Sequence, residues 1–444
     1  MPDPETASET PVGTPRGATP EPPALAPEAP EALPTPEPRE RYMPVRKRAL
    51  LEAALSDPAL DAAERDKLRA LGRRLALLFH VVFFAPREQL KDLYVHFNPD
   101  QPGTAPIPPA PEERQAFLEA LDTALKAANF RRIEAQDLEP EAESRGRVRA
   151  KVDVPVDVFD EVRFYGRGRR EREFTLSSWF GFRKDEIRAQ FWDHVVFLAA
   201  LQEEIPRRAR RDGRLRPGAI YLKLFRDIPR ADLKTLYPNA RVVMGLKDKL
   251  ILGVPAVAGG IPILLNIIPA LTVLFLVIGA YLGITGAVEE DQTKKALAAL
   301  SGLAALGGFL GRQWIKYERQ KFKYQKQVAE NAYFNNLNNN AAFFDYLIGA
   351  SEDSEVKEAF LAYHFLHRAG APMTREALDG EIESWLKATF SVDVDFEIED
   401  ALAKLERFDL VVEDGEGRLA ARPLDDALDA AEAAWSELAR ESFG

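Results

Sequence analysis

The chain of 444 residues contains no cysteine. Disulfides, thiolate metal sites and a cysteine nucleophile are excluded together, and the absence fits a reducing compartment. Histidine is scarce as well: His80, His96, His194, His364 and His367 make up the full set. Only His364 and His367 are close enough to share a helix face. With no Glu-x-x-His partner and no third ligand, they read as ordinary core or surface residues. No metal site or cofactor is expected. Residues 1–38 have almost no large apolar side chains. Built from Pro, Glu, Ala and Thr, they cannot bury enough surface to fold and are expected to form a disordered tail. They offer no apolar core for a signal peptide and are too acidic for a mitochondrial presequence. Charge is the last absence: none occurs from Leu250 to Val288, and a second uncharged run covers Ala296 to Gly311.

Uncharged runs of this length suggest membrane, since a helix needs about 20 apolar residues to cross a hydrocarbon core. The first span is expected over 263–288, where Leu271–Ile278 is the densest apolar stretch. Leu250–Pro262, with its prolines and the pair Gly259–Gly260, reads as an interfacial or re-entrant lead-in. The second span is expected over 296–316, with Arg312 snorkelling and Trp314 and Tyr317 at the interface. Lys247 and Lys249 precede the runs, and Arg312, Lys316, Arg319, Lys321, Lys323 and Lys326 follow them. The positive-inside rule then gives a multi-pass protein of the cell membrane with both termini cytoplasmic.

The net charge of −11 is unevenly spread. Residues 351–444 hold 24 acidic and 9 basic residues, a net of −15, and residues 1–38 carry −6, so the middle of the chain is basic. The middle suits contact with an anionic lipid bilayer, and the acidic end suits a protein partner.

Residues 39–248 read as an α+β domain. Leu68, Leu71, Leu75, Leu78 and Val82 share one helix face, which Pro86 should end or kink. Phe117, Leu121 and Leu125 mark another helix. Alternation from Val148 to Val158 predicts a strand, as do Val162–Phe164 and Ile220, Leu222 and Leu224. The membrane region 249–317 follows, then a basic, aromatic helix over 318–350. Residues 351–444 read as helices around a short hairpin at Asp414–Gly415, an order resembling a winged helix. The fold expected is thus an α+β membrane protein: an N-terminal α+β domain, a two-helix transmembrane hairpin and a C-terminal winged-helix-like domain.

Three segments invite chemistry. Tyr165, Gly166, Arg167 and Gly168, with Arg169 and Arg170, could cradle a phosphate, although a third glycine and a following helix are missing and a hairpin turn explains the glycines. The run Arg207, Arg208, Arg210, Arg211, Arg214 and Arg216 suits headgroups or a solvated loop equally. Asn335, Asn336, Asn338, Asn339 and Asn340 suit helix capping or a polar contact with the upstream domain. Nucleic acid is excluded as a partner, because the winged-helix-like segment is acidic and phosphate contacts need Lys and Arg.

The run Ile220–Pro238, Ile-Tyr-Leu-Lys-Leu-Phe-Arg-Asp-Ile-Pro-Arg-Ala-Asp-Leu-Lys-Thr-Leu-Tyr-Pro, resembles a segment of an uncharacterised family of two-span membrane proteins from bacteria and plants that includes an animal mitochondrial transmembrane protein. Val162–Gly168 (Val-Arg-Phe-Tyr-Gly-Arg-Gly), Asn331–Asn340 and Glu355–Phe365 (Glu-Val-Lys-Glu-Ala-Phe-Leu-Ala-Tyr-His-Phe) share the resemblance, which covers most of residues 40–412. It implies two spans between two domains and no established activity, so no catalytic residue is carried over. Lys223, Phe225, Arg226, Asp227, Pro229, Asp232 and Leu233 match the densest motif of that family. Asp227 and Pro229 are also good helix-start residues.

The reading that results is a membrane-anchored scaffold or adaptor. The alternatives are a membrane-associated enzyme acting on a phosphate-bearing or lipid substrate at Gly166–Arg170, and a channel or transporter subunit. Two spans per chain would require the last of these to be a homo-oligomer, and neither span carries the charge expected of an ion path.

Overall fold

The structure, a computed structural model, describes residues 39–101, 110–134, 151–178, 183–206, 215–238, 240–243, 246–284, 286 and 289–443. Arg39–Gly444 forms one compact unit. The expected N-terminal tail lies outside the described residues.

Apolar residues three and four apart build the first helices. α1 (Lys47–Leu55) buries Leu50, Ala54 and Leu55, and α2 (Ala62–Tyr94) buries Leu68, Leu71, Leu75 and Leu78 on one face. A capping box starts α2: Glu64 N donates to Asp61 at 2.8 Å and Asp61 N to Glu64 at 2.9 Å. Of the two outcomes expected at Pro86, an end or a kink, the end does not occur: the helix runs on to Tyr94. Leu90 and Tyr94 continue the buried stripe, and their burial offsets the hydrogen bond that proline removes. α3 (Pro111–Ala127) starts with proline in its first turn and buries Phe117, Leu121 and Leu125.

The main sheet is antiparallel, built from β1 (Arg131–Ile133), β3 (Phe159–Ser178), β4 (Arg183–Leu201), β5 (Ile220–Pro229) and β7 (Asn336–Asn339) in that spatial order. A separate ladder pairs β2 (Lys151–Asp153) with β6 (Arg241–Val243). The strand expected over Val148–Val158 is shorter than its alternation suggests. Among the described residues only β2 forms and a 3-10 turn takes Val156–Val158; Val148 and Ala150 lie outside the described residues. Pro155 between them cannot donate to a ladder.

Both faces of the sheet are covered, which explains the unbroken apolar run Val195–Leu201. Val196, Leu198 and Ala200 pack with α3 and with Phe343, Phe344 and Leu347. Val195, Phe197, Ala199 and Leu201 pack against Leu233, Leu236 and Tyr237 of the 3-10 segment after β5. A strand buried on both sides loses its polar alternation.

Two long helices follow, α4 (Leu246–Tyr281) and α5 (Glu290–Asn335), packed side by side. Gly259 permits their close approach: a Cβ there would lie 2.9 Å from the Phe309 ring. These helices correct the expected membrane hairpin. Among the described residues, no helix is long and apolar enough to cross a membrane. The segment 250–262 is no re-entrant lead-in but the first part of α4, sharing that helix with Lys247, Asp248 and Lys249. The segment 296–316, mostly Ala, Gly and Leu, is one part of a helix that continues through Glu318, Arg319 and Lys321 to Asn335. The two-span anchor, the transmembrane character and the multi-pass cell-membrane location are therefore withdrawn. The architecture is α+β, an antiparallel sheet packed with helices.

The chain then passes through α6 (Ala341–Ala369), α7 (Arg375–Phe390), α8 (Ile398–Arg407), the hairpin β8 (Val411–Glu413) and β9 (Leu419–Ala421), and α9 (Leu424–Phe443). α6 is the spine. Its first half buries Phe343, Phe344 and Leu347 under the sheet, and its second half buries Val356 to Leu366 in a core shared by α1, α2, α7, α8 and α9. Gly370 ends it in the left-handed conformation, φ 64°.

Candidate functional site

The residues singled out in the sequence are placed by β3, β5 and β7. Tyr165, Gly166 and Arg167 are not in a turn. They sit in mid-strand, opposite Val196, Val195 and His194 of β4, with β1 on the other side. Their glycines serve packing: a Cβ on Gly166 would meet the Trp192 ring at 2.5 Å, and Gly168, at φ +71°, leaves no room beside Asp193. Arg167 is 3% exposed. It donates to Ala128 O at 2.8 Å and to the Tyr346 hydroxyl at 3.0 Å, between the rings of Tyr42 and Phe130, each 4.5 Å away. Burial, with Arg167 and Arg170 adding like charge, pushes the neighbouring His194 down to about 3 and keeps it neutral. Arg170 and Arg172 pair with Asp193 and Asp227. This is a built polar cluster in which protein groups hold the Arg167 guanidinium.

Lys223 is half-buried in β5, where desolvation lowers its pKa. Arg226 is exposed, Asp227 adopts φ +55°, Pro229 closes the strand and Asp232 is buried. Asn335 donates to Asn331, and Asn336 and Asn339 bond each other within β7. Asn340 does more. At φ +47° it starts α6, its amide and side-chain oxygen bond both backbone groups of Leu222, and its Nδ2 donates to Asp100 at 2.8 Å. Of the arginine run, Arg207, Arg208, Arg210, Arg211 and Arg214 lie outside the described residues. Arg216 donates to Asn98 O at 3.1 Å.

A constellation not recognised from sequence lies where α3, α6 and α8 meet. Glu355 and Glu358, one turn apart on α6, face Lys404 of α8, whose ammonium also meets Asp400. The Lys404 Nζ is 3.0 Å from Glu358 and 2.6 Å from Asp400, and Asn129 Nδ2 donates to Glu358 at 3.2 Å. Burial raises the pKa of both glutamates, Glu355 to about 8, against the opposing pull of Lys404. The three carboxylates could together hold a metal ion. The Lys404 ammonium already stands among them and supplies the positive charge, so the group fits a tie between elements better than an ion site. Glu355 and Asp400 also line a cleft of about 620 Å³ with Leu125, Asn129, Phe130 and Tyr165. A protonated carboxyl on a cleft can act as an acid. No histidine lines this cleft among the described residues, and Tyr165, raised to about 12 by burial and by Asp122, is no nucleophile at neutral pH. One signal was present in the sequence: Glu355 and Glu358 stand one turn apart directly before the apolar run Ala359–Ala362.

The helix pair is the other outstanding feature. Phe275, Leu282, Leu297, Trp314 and Phe322 are each at least 66% exposed. Isolated apolar residues on a surface are ordinary, whereas a large contiguous set marks a contact surface.

No solved structure matches the chain. Residues 182–342 match the family described as "Protein of unknown function (DUF3754)", and that match takes in β4, β5, the helix pair α4 and α5, and β7.

Proposed function

We propose that the protein is a scaffold or adaptor, acting by holding partners and not by turning over a substrate. The observation that carries this reading is the apolar surface left exposed on α4 and α5, inside the stretch shared with the DUF3754 family. The acidic end supplies a second surface. Asp425, Asp426, Asp429, Glu432, Glu437 and Glu441 are exposed along α9, which suits a partner rich in Lys and Arg. Arg167 gives no support to an enzyme acting on phosphate at Gly166–Arg170, since its guanidinium is committed to Ala128 and Tyr346.

Proximity labelling in cells tests the reading with three forms of the full chain: wild type, Phe275→Ser with Leu282→Ser, and Asp426→Lys with Asp429→Lys. The substituted residues are exposed, so folding should be unchanged. Each variant should lose its own subset of labelled neighbours. If both label the same set as wild type, the scaffold reading is wrong.

A further inference from the structure

We infer that α5 pairs antiparallel with α5 of a second copy of this chain. The inference rests on the scaffold reading and names one occupant of its apolar surface.

Along α5 the residues Thr293, Leu297, Leu300, Ala304, Gly307, Gly311 and Trp314 follow at alternating steps of four and three, and all are exposed. That is the spacing of a seam between two paired helices. Phe309, which meets Gly259 of α4, lies on the opposite side of the helix, so the seam faces away from α4. The glycines in the seam are open: a Cβ on Gly307 or Gly311 would meet nothing within 4 Å.

The seam is complementary to itself in one orientation only. An antiparallel partner related by a two-fold axis near Gly302 sets Leu297 over Gly307, Leu300 over Ala304 and Thr293 over Gly311, so large side chains enter gaps left by small ones. A parallel pair would stack Leu on Leu and leave the glycines facing each other as voids. One helix thus carries both the knobs and the holes, which is what a two-fold contact between identical chains requires.

The absence of native cysteine makes the test direct. Leu300→Cys and Ala304→Cys forms of the full chain, carrying different tags, are mixed and oxidised, and Leu297→Cys alone is oxidised in parallel. Antiparallel pairing puts the two Leu297 positions about 15 Å apart along the axis, beyond disulfide reach. The mixed sample should form at least tenfold more covalent dimer than Leu297→Cys. Gly307→Leu, placed in open space, should keep the helical circular dichroism and reduce the mass in sedimentation from dimer to monomer. A wild-type chain that stays monomeric at all concentrations, or efficient crosslinking of Leu297→Cys, would overturn the pairing. If pairing fails while α4 and α5 still show partners by proximity labelling, the scaffold reading stands without it.

Discussion

Gly166 and Gly349 show how one substitution can carry opposite signs. A Cβ on Gly166 would enter the Trp192 ring, whereas one on Gly349, in α6, meets nothing within 4 Å. Gly166→Ala should therefore cost about 1–3 kcal/mol in overpacking, and Gly349→Ala should gain about 0.5–1 kcal/mol from lost chain entropy; urea denaturation of the two variants measures both. Glu355 offers a test by pH. Its carboxyl is raised from 4.5 to about 8 by burial, so the native state holds the proton more tightly than the unfolded chain. That contribution is complete below 4.5 and is lost as pH rises through about 8. The stability of wild type relative to Glu355→Gln should accordingly fall between about pH 5 and about pH 8, and a flat difference would show that burial does not hold the proton. Individual roles were the least legible part of the sequence. Gly-Arg-Gly suggests a loop in any one-dimensional reading; only the register against β4 shows that Gly166 makes room for the Trp192 ring, Gly168 for Asp193, and that Arg167 fills an aromatic cage. Asn129 and Lys404 lie far from Glu358 in the chain, and no local pattern joins them.

Among the elements, those with a strict period were legible. The stripe Leu68–Leu78 gave α2, and Ile220, Leu222 and Leu224 gave β5. The extent of α2 was not, because a proline rule weighs one lost hydrogen bond and cannot see the core that Leu90 and Tyr94 enter. Pro86→Ala should raise the melting temperature, since the ring's clash and the missing donor are relieved while the packing of α2 stays; a fall would mean that the core requires a bend at this position. The helix pair was legible as two helices, but its bounds differ from the expected 263–288 and 296–316, since α4 covers Leu246–Tyr281 and α5 covers Glu290–Asn335, and among the described residues neither is long and apolar enough to cross a membrane. Absence of charge over a long run is shared by spanning helices and by helices that dock on something else. The lengths α4 and α5 reach, and the charges they take in, became visible only with the fold.

At the scale of the whole molecule, charge and apolar surface are separated. The acidic residues concentrate in 351–444, and the exposed apolar side chains concentrate on α4 and α5. Contacts made by the acidic end should weaken as ionic strength rises, because surface charges are screened within about 10 Å at 0.1 M salt. Contacts made by the helix pair should persist. Labelled neighbours sorted by a salt wash would divide accordingly, and uniform loss on washing would mean that one surface serves for both. The central claim is that α4 and α5 are covered by a partner when the protein is at work. The most direct measurement is the rate at which a thiol reagent modifies single cysteines at Leu282 and Trp314, compared between dilute purified chain and intact cells. The account requires rapid modification of the purified chain and strong protection in cells, with a cysteine at Ser436 reacting alike in both. Equal reactivity at Leu282 and Trp314 in the two settings would contradict it.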